Sequence, residues 1–140
     1  MTDIFTKERR SEIMSLIKGK NTTPERIVFR YLRQKHIYFQ RHYRRAPGCP
    51  DLALPRKKRA VFIDGDFWHG NGFEERRIRL EAADQYFWIE KIERNMVRDM
   101  VNRQELVARG WEIMQVWEHR IRRMSLRVEA LSEIEHFLSV

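Results

Sequence analysis

The sequence predicts one small α/β domain, a mixed sheet flanked by helices, and three observations carry that reading. The chain has 140 residues, enough for one substantial core and not for two. Its hydrophobic periodicities run helix, helix, three strands, helix, strand, helix. A long helix set between the third and fourth strands makes a crossover unit, so the fourth strand is expected to lie parallel to its neighbour.

The elements follow in order. Residues 8–18, ERRSEIMSLIK, place Ile13, Leu16 and Ile17 at helical spacing, and Gly19 can end that helix. In NTTPE, Thr23 reads as an N-cap, Pro24 as the first helical residue and Glu25 as a first-turn acid. Ile27, Val28, Tyr31 and Leu32 then form the buried stripe of a second helix. Residues 37–43 read as a strand and APGCP as a loop. Asp51–Pro55 and Ala60–Asp64 flank RKKR as a hairpin. Residues 84–109 form the long helix, beginning near Asp84, with room for a kink around Asn95. Trp111–Trp117 is the last strand, and Leu126–Leu138 a final helix with Val128, Leu131, Ile134 and Leu138 inward.

Composition narrows the class. A hydrophobic content of 42% beside 34% charged residues describes a globular chain rather than a disordered one. The apolar runs are far shorter than the roughly 20 residues that cross a bilayer, and the N-terminus turns polar before a signal-peptide core could form. A cytoplasmic protein without a membrane partner is expected. Cys49 is the single cysteine, which excludes an internal disulfide and a multi-cysteine metal site. The net charge is +8, and Arg26 to Arg59 holds eleven Lys or Arg against one acid, Asp51. A second basic cluster surrounds Arg120–Arg127. Solvated surface charge is the ordinary reading, but without a basic amphipathic helix bearing an exposed aromatic face, nucleic acid is the favoured polyanion. Arg44, Arg45, Lys57 and Lys58 are the expected contacts to it.

The chemistry concentrates in VFIDGDFWHGNGF, residues 61–73. A hairpin centred between Lys57 and Lys58 sets Asp51 opposite Asp64, on the face away from Leu52, Leu54, Val61 and Ile63. Opposed like charges are destabilising, so a proton, an arginine from elsewhere or a divalent cation must neutralise the pair. Each aspartate alone would read as a turn residue. Together, in a basic chain, they suit metal-assisted phosphodiester cleavage. Glu25 could add an outer carboxylate or be an ordinary first-turn acid. His69 could act as a general acid or base, although a lone loop histidine is more often merely solvated. Phe67 and Trp68 are core aromatics or rings presented to bases. Met14 and Trp88 read as helix-face core residues, and Asp99 would not be chosen from pattern alone. The remaining histidines, His36, His42, His119 and His136, show no ligand spacing.

At this point a resemblance enters. RRSEIM, TTPE, PGCPD, IDG followed by FWHG, FWIEKIERN with Asp99 shortly after, GW and VWE stand here in the order and spacing of the very-short-patch repair (Vsr) endonucleases. Each fragment is weak and the ordered set, over residues 8 to 123, is specific. The resemblance implies a restriction-endonuclease-like PD-(D/E)xK core that nicks one strand of duplex DNA at a T:G mismatch left by 5-methylcytosine deamination. It implies Mg2+, as one or two ions, with Asp51 the main ligand and the Ile63 backbone carbonyl a second. Asp64 would face metal or phosphate, and Glu25 would bind through metal waters. His69 would be the catalytic histidine and Asp99 its acidic partner. Met14, Phe67, Trp68 and Trp88 match residues that wedge into the base stack, and residues 1–20 a DNA-contacting helical arm. A monomer acting on mismatched double-stranded DNA at the nucleoid is expected, with other repair proteins available to recruit it. A related restriction-type or broader nicking enzyme, or a DNA-binding module without cleavage, are the alternatives.

Two departures from the family pattern stand out. Zinc-bearing members place Cys or His at the positions of Asp66, Asn71, Phe73 and His119. Only His119 could serve here, so no structural zinc is expected, and the Gly70–Arg77 loop must be held by other contacts. No lysine occupies the third motif position, where Asp66 stands, and the family does not rely on one.

Overall fold

In the computed structural model, which describes residues 22–140, a four-stranded sheet is flanked by helices on both faces. The elements are α1 (Thr23–Gln34), β1 (Gln40–Arg41), β2 (Leu52–Leu54), β3 (Arg59–Asp64), α2 (Phe73–Ala82), α3 (Tyr86–Ala108), β4 (Glu112–Trp117), α4 (Glu118–Arg122) and α5 (Met124–Ser139). The strand order is β1-β2-β3-β4. The first two pairings are antiparallel and β3–β4 is parallel, as the crossover requires. The helix expected over residues 8–18, the 1–20 arm and Met14 lie outside the described residues.

The α1 start is one residue earlier than the sequence suggested. Thr22, not Thr23, is the N-cap, and it forms a capping box with Glu25. The inward residues Val28, Phe29 and Leu32 then pack on one face of the sheet, against Leu52, Val61, Ile63 and Val116, with Ile121, Ile134 and Leu138 closing the core. Alternation along β3 sends Ala60 and Phe62 to the other face, where they meet Ala46 and Leu106. A separate apolar group, Phe73, Leu80, Trp88, Ile89 and Ile92, supports Phe67 and Trp68.

Several elements differ from expectation, each for a local reason. The hairpin register pairs Leu52 with Val61 and Leu54 with Arg59, two residues away from the centring assumed between Lys57 and Lys58. Pro55 to Lys58 all fall in the turn, because Lys58 adopts a left-handed φ of 53°. A shift of two preserves the faces, but Asp51 now extends toward Phe62 rather than opposing Asp64. The strand expected over 37–43 contracts to Gln40–Arg41, bracketed by His36 and His42 at positive φ. The segment after Gly70 is not a loop to Arg77: α2 begins at Phe73. Asp84, at φ 60°, separates α2 from α3, so the long helix starts at Tyr86 and runs unbroken through Asn95. In α5, Leu131, Ile134 and Leu138 face inward as expected, whereas Val128 is 78% exposed and its place in the core is taken by Ala130.

Candidate active site

Two polar clusters form where β2 begins and β3 ends. In the first, α1 delivers Glu25, the chain after β1 delivers His42, and the residue before β2 delivers Asp51, with their ligand atoms within 4.8 Å of one another. The Glu25 carboxylate is buried; it accepts from the Thr22 amide at 3.3 Å, bonds His42 Nε2 at 3.0 Å and lies near the Asp51 carboxyl. Asp51 in turn accepts the Ile63 amide at 2.6 Å, which sets the Ile63 backbone against its carboxyl group. Burial, the hydrogen bond to Glu25 and the Glu25 charge push the Asp51 carboxyl well above the usual range; the Ile63 amide opposes this and the Asp64 charge adds to it. Burial beside another carboxyl thus disfavours the charged form of Asp51. Two hard carboxylates that need a shared positive charge fit a divalent cation. Glu25, Asp51 and the Ile63 backbone would hold it.

The second cluster joins Asp64, His69 and Asp99, again with ligand atoms within 4.8 Å. Asp64 is only 2% exposed. Arg103 Nη2 reaches its two oxygens at 2.9 and 2.8 Å, and Gln115 Nε2 donates to Oδ2 at 2.7 Å. An arginine from elsewhere therefore neutralises Asp64, one of the three solutions the sequence left open. Arg103 also lies over the Phe62 ring, 4.3 Å from its centroid. His69 Nδ1 bonds Asp99 Oδ2 at 2.5 Å and stands 3.8 Å from Asp64 Oδ1. Burial of the ring would lower its pKa, but the Asp99 bond and the Asp64 and Asp99 charges outweigh that and Arg103, so the net shift is upward.

The aromatic loop sits beside them. Phe67 and Trp68 meet edge to face at 4.5 Å, and Trp68 leans on the fully buried Trp88 at 5.2 Å. Phe67 and Trp68 stay half-buried, with Arg76 stacked 4.8 Å from the Phe67 centroid. Trp88 is core in this arrangement. Asn95 of α3 donates to the Trp68 carbonyl at 3.1 Å. Gly70, at φ 84°, comes so close to α3 that a Cβ there would lie 2.4 Å from the Met96 sulfur.

Asp66, whose purpose the sequence did not disclose, ties this loop down. It accepts from Asn71 Nδ2 at 2.7 Å and from the His119 amide at 3.0 Å, and its Oδ1 bonds His119 Nδ1. Three of the four positions where zinc-bearing relatives place ligands are joined here by hydrogen bonds. The fourth, Phe73, is buried in the apolar group under the loop. Burial would raise the Asp66 pKa, but the bonds from Asn71 and His119 hold it below its ordinary value.

Other candidates are placed differently. Lys57 and Lys58 occupy the hairpin turn, about 20 Å along β3 from Asp64, and their ammonium groups bond the carbonyls of Leu138 and Arg109. Arg44 and Arg45 are exposed in the segment after His42. Sequence reasoning missed His42, Arg103, Gln115 and Glu118. The last is a partly buried carboxyl that lies 3.9 Å from a Cβ built on Gly65, with its pKa raised by burial and by the Asp66 and Glu25 charges against the pull of Arg122. A signal for one of them, Arg103, existed. Trp88, Ile92, Asn95, Asp99, Arg103 and Leu106 recur at three- and four-residue spacing along one face of α3. Polar residues on a buried stripe are placed there for partners.

A mixed α/β sheet with paired acidic clusters at its strand ends, a histidine beside them and a basic surround defines a nuclease of the restriction-endonuclease-like class. The comparisons specify it further. The family model described as DNA mismatch endonuclease Vsr matches residues 2–75. The type II nicking enzyme V.NmeAIP of Neisseria meningitidis is 36% identical over 134 residues, 96% of this chain and 94% of that protein. The type II nicking enzyme V.HpaIIP of Haemophilus parainfluenzae is 38% identical over 116 residues, 82% of each. The DNA mismatch endonuclease Vsr of Escherichia coli is 31% identical over 134 residues, 95% of this chain and 85% of that one. The chain belongs to the Vsr DNA mismatch endonuclease family and is a DNA endonuclease. Among the described residues, no helix is long and apolar enough to cross a membrane.

Proposed function

We propose that this enzyme nicks one strand of duplex DNA at T:G mismatches left by deamination of 5-methylcytosine, using Mg2+ held at Asp51. The observation that carries the reading is the Glu25–Asp51 carboxyl pair, joined to His42 and set against the Ile63 backbone beside a carboxylate-bound histidine. Mg2+ bound there would lower the pKa of a coordinated water and offset charge on the scissile phosphate. His69 supplies the proton chemistry. Its Nδ1–H donates to Asp99, which fixes the ring and leaves Nε2 to take a proton from the attacking water or give one to the leaving oxygen. Asp64 holds Arg103 and Gln115 in place, and its charge favours the protonated form of the ring. Phe67 and Trp68, half-buried on a rigid base, are suited to stack beside an unpaired base.

The chain would act as a monomer in the cytoplasm, where other repair proteins could recruit it. A single panel tests the reading: nicking of T:G, other mismatched and fully paired duplexes, with and without Mg2+, by the wild type and Asp51→Ala. Nicking confined to T:G with Mg2+, and lost in Asp51→Ala by at least about 100-fold, is expected from removal of a metal ligand. Undiminished nicking by Asp51→Ala refutes the metal site. Equal nicking of paired DNA favours a nicking enzyme of other specificity, the activity that the names of the two bacterial nicking relatives describe.

A further inference from the structure

Four arginines converge on one groove of about 610 Å³ that adjoins the Glu25 cluster without belonging to it. Arg26, Arg30 and Arg33 form a stripe along α1, and Arg41 of β1 closes the far wall. The floor is Phe29, with the Arg41 guanidinium 5.9 Å from its ring centroid. The same ring meets His42 edge-on at 6.0 Å, and His42 bonds Glu25. Arg26 follows Glu25 in the chain and Arg41 precedes His42, so the two segments that build the acidic cluster also build the basic groove.

Six arginines elsewhere are treated differently. Arg59, Arg77, Arg103, Arg109, Arg120 and Arg122 each stand beside a carboxylate. Among the described residues, no carboxylate pairs with any of the four groove arginines, and no acid lines the groove. Among the described residues, the only side-chain hydrogen bond from them is a long one, Arg26 Nη2 to Thr23 Oγ1 at 3.4 Å. Like charges gathered without a counter-charge repel, and a polyanion removes that cost. The spacing suits one strand of a duplex. Seven residues of helix advance about 10.5 Å, and one strand presents a phosphate about every 3.4 Å of axial rise, so the stripe spans roughly three. Guanidinium forks bind phosphate oxygens in pairs.

We infer that this groove is a phosphate-binding surface that grips the DNA backbone beside the cleavage position, independently of the base pair there. The inference rests on reading the chain as a nuclease of duplex DNA and supplies the anchoring surface that Lys57 and Lys58, tied to helix-end carbonyls, do not offer.

The test measures binding, not cleavage. Binding of a paired and a T:G duplex is followed by fluorescence anisotropy across a salt series, for the wild type and Arg30→Gln/Arg33→Gln. Two lost phosphate contacts should reduce the slope of log K against log salt by about 1.8. At 0.15 M salt that corresponds to roughly 30-fold weaker binding, equal for the two duplexes. The charge-preserving Arg30→Lys/Arg33→Lys should keep the wild-type slope. Should the Gln double variant fail to fold, Arg41→Gln on the other wall should reduce the slope by about 0.9. An unchanged slope, or a loss on only one duplex, overturns the inference. A wild type that fails to nick T:G DNA while the slopes shift as stated would sink the mismatch reading and leave the groove standing.

Discussion

Replacing Asp66 by alanine removes three hydrogen bonds at once, those from Asn71 Nδ2, the His119 amide and His119 Nδ1. A net hydrogen bond contributes about 1 kcal/mol, and more when one partner is charged. The group is partly solvated, with side-chain exposures of 27% for Asp66 and 35% for His119, so the charged figure does not apply in full. The expected loss is about 2–3 kcal/mol. At roughly 2.1 cal/mol/K of unfolding entropy per residue, that lowers the melting temperature by about 7–10 °C. The assay is thermal and urea denaturation of both proteins at pH 7, with the melts repeated at lower pH. The folded Asp66 carboxyl lies below its usual 3.8, so its stabilisation is present in full above the unfolded value and disappears as pH falls through the folded one. The difference between wild type and Asp66→Ala should therefore be constant near neutrality and shrink below about pH 4. A loss under about 0.5 kcal/mol, the range of ordinary surface substitutions, would refute the role given to Asp66, as would a difference that stays constant into acid.

Two further outcomes follow from the polar clusters. The raised Asp51 pKa means that the metal-free protein binds an extra proton when folded, so this contribution to stability is full at acid pH and fades as pH rises above the unfolded value. A fixed Mg2+ concentration, about 100 times its Kd at pH 8, should restore about 2.7 kcal/mol there and less at pH 5, and Asp51→Asn should abolish most of that protection in the same melts. Arg103→Ala leaves the Asp64 carboxylate buried with only Gln115 and His69 near it, and should cost about 3–5 kcal/mol, read by urea denaturation. Arg103→Lys, which keeps the charge but not the fork, should recover only part of it.

The fold was legible wherever periodicity and chain connectivity speak together. The β3 alternation, the parallel β4 and the inward face of α5 at Leu131, Ile134 and Leu138 all follow from pattern. What failed was local backbone choice. Nothing in RKKR announces that Lys58 takes a left-handed φ, yet that residue moves the hairpin register by two. FEERRIRLEA buries only Phe73 and Leu80, too faint a stripe to announce α2. Val128 was assigned to the core by spacing alone, one residue out of phase with the Ala130–Leu131–Ile134 face that is buried. The candidate site was half visible. The aspartates and His69 stood out because charge at a strand end demands explanation. His42 and Gln115 did not, since an isolated polar residue in an irregular segment or strand carries no periodic signature, and their partners lie 17 and 51 positions away.

The α3 helix gathers duties that the chain elsewhere keeps apart. Within its 23 residues it props Trp68 from below with Trp88, fastens the Trp68 carbonyl with Asn95, orients His69 with Asp99 and neutralises Asp64 with Arg103. Trp88 and Arg103 stand fifteen positions apart, about 22 Å along a continuous helix. A helix that length bends far less readily than a loop, so a push on the aromatic shelf and a shift of the imidazole are movements of one lever.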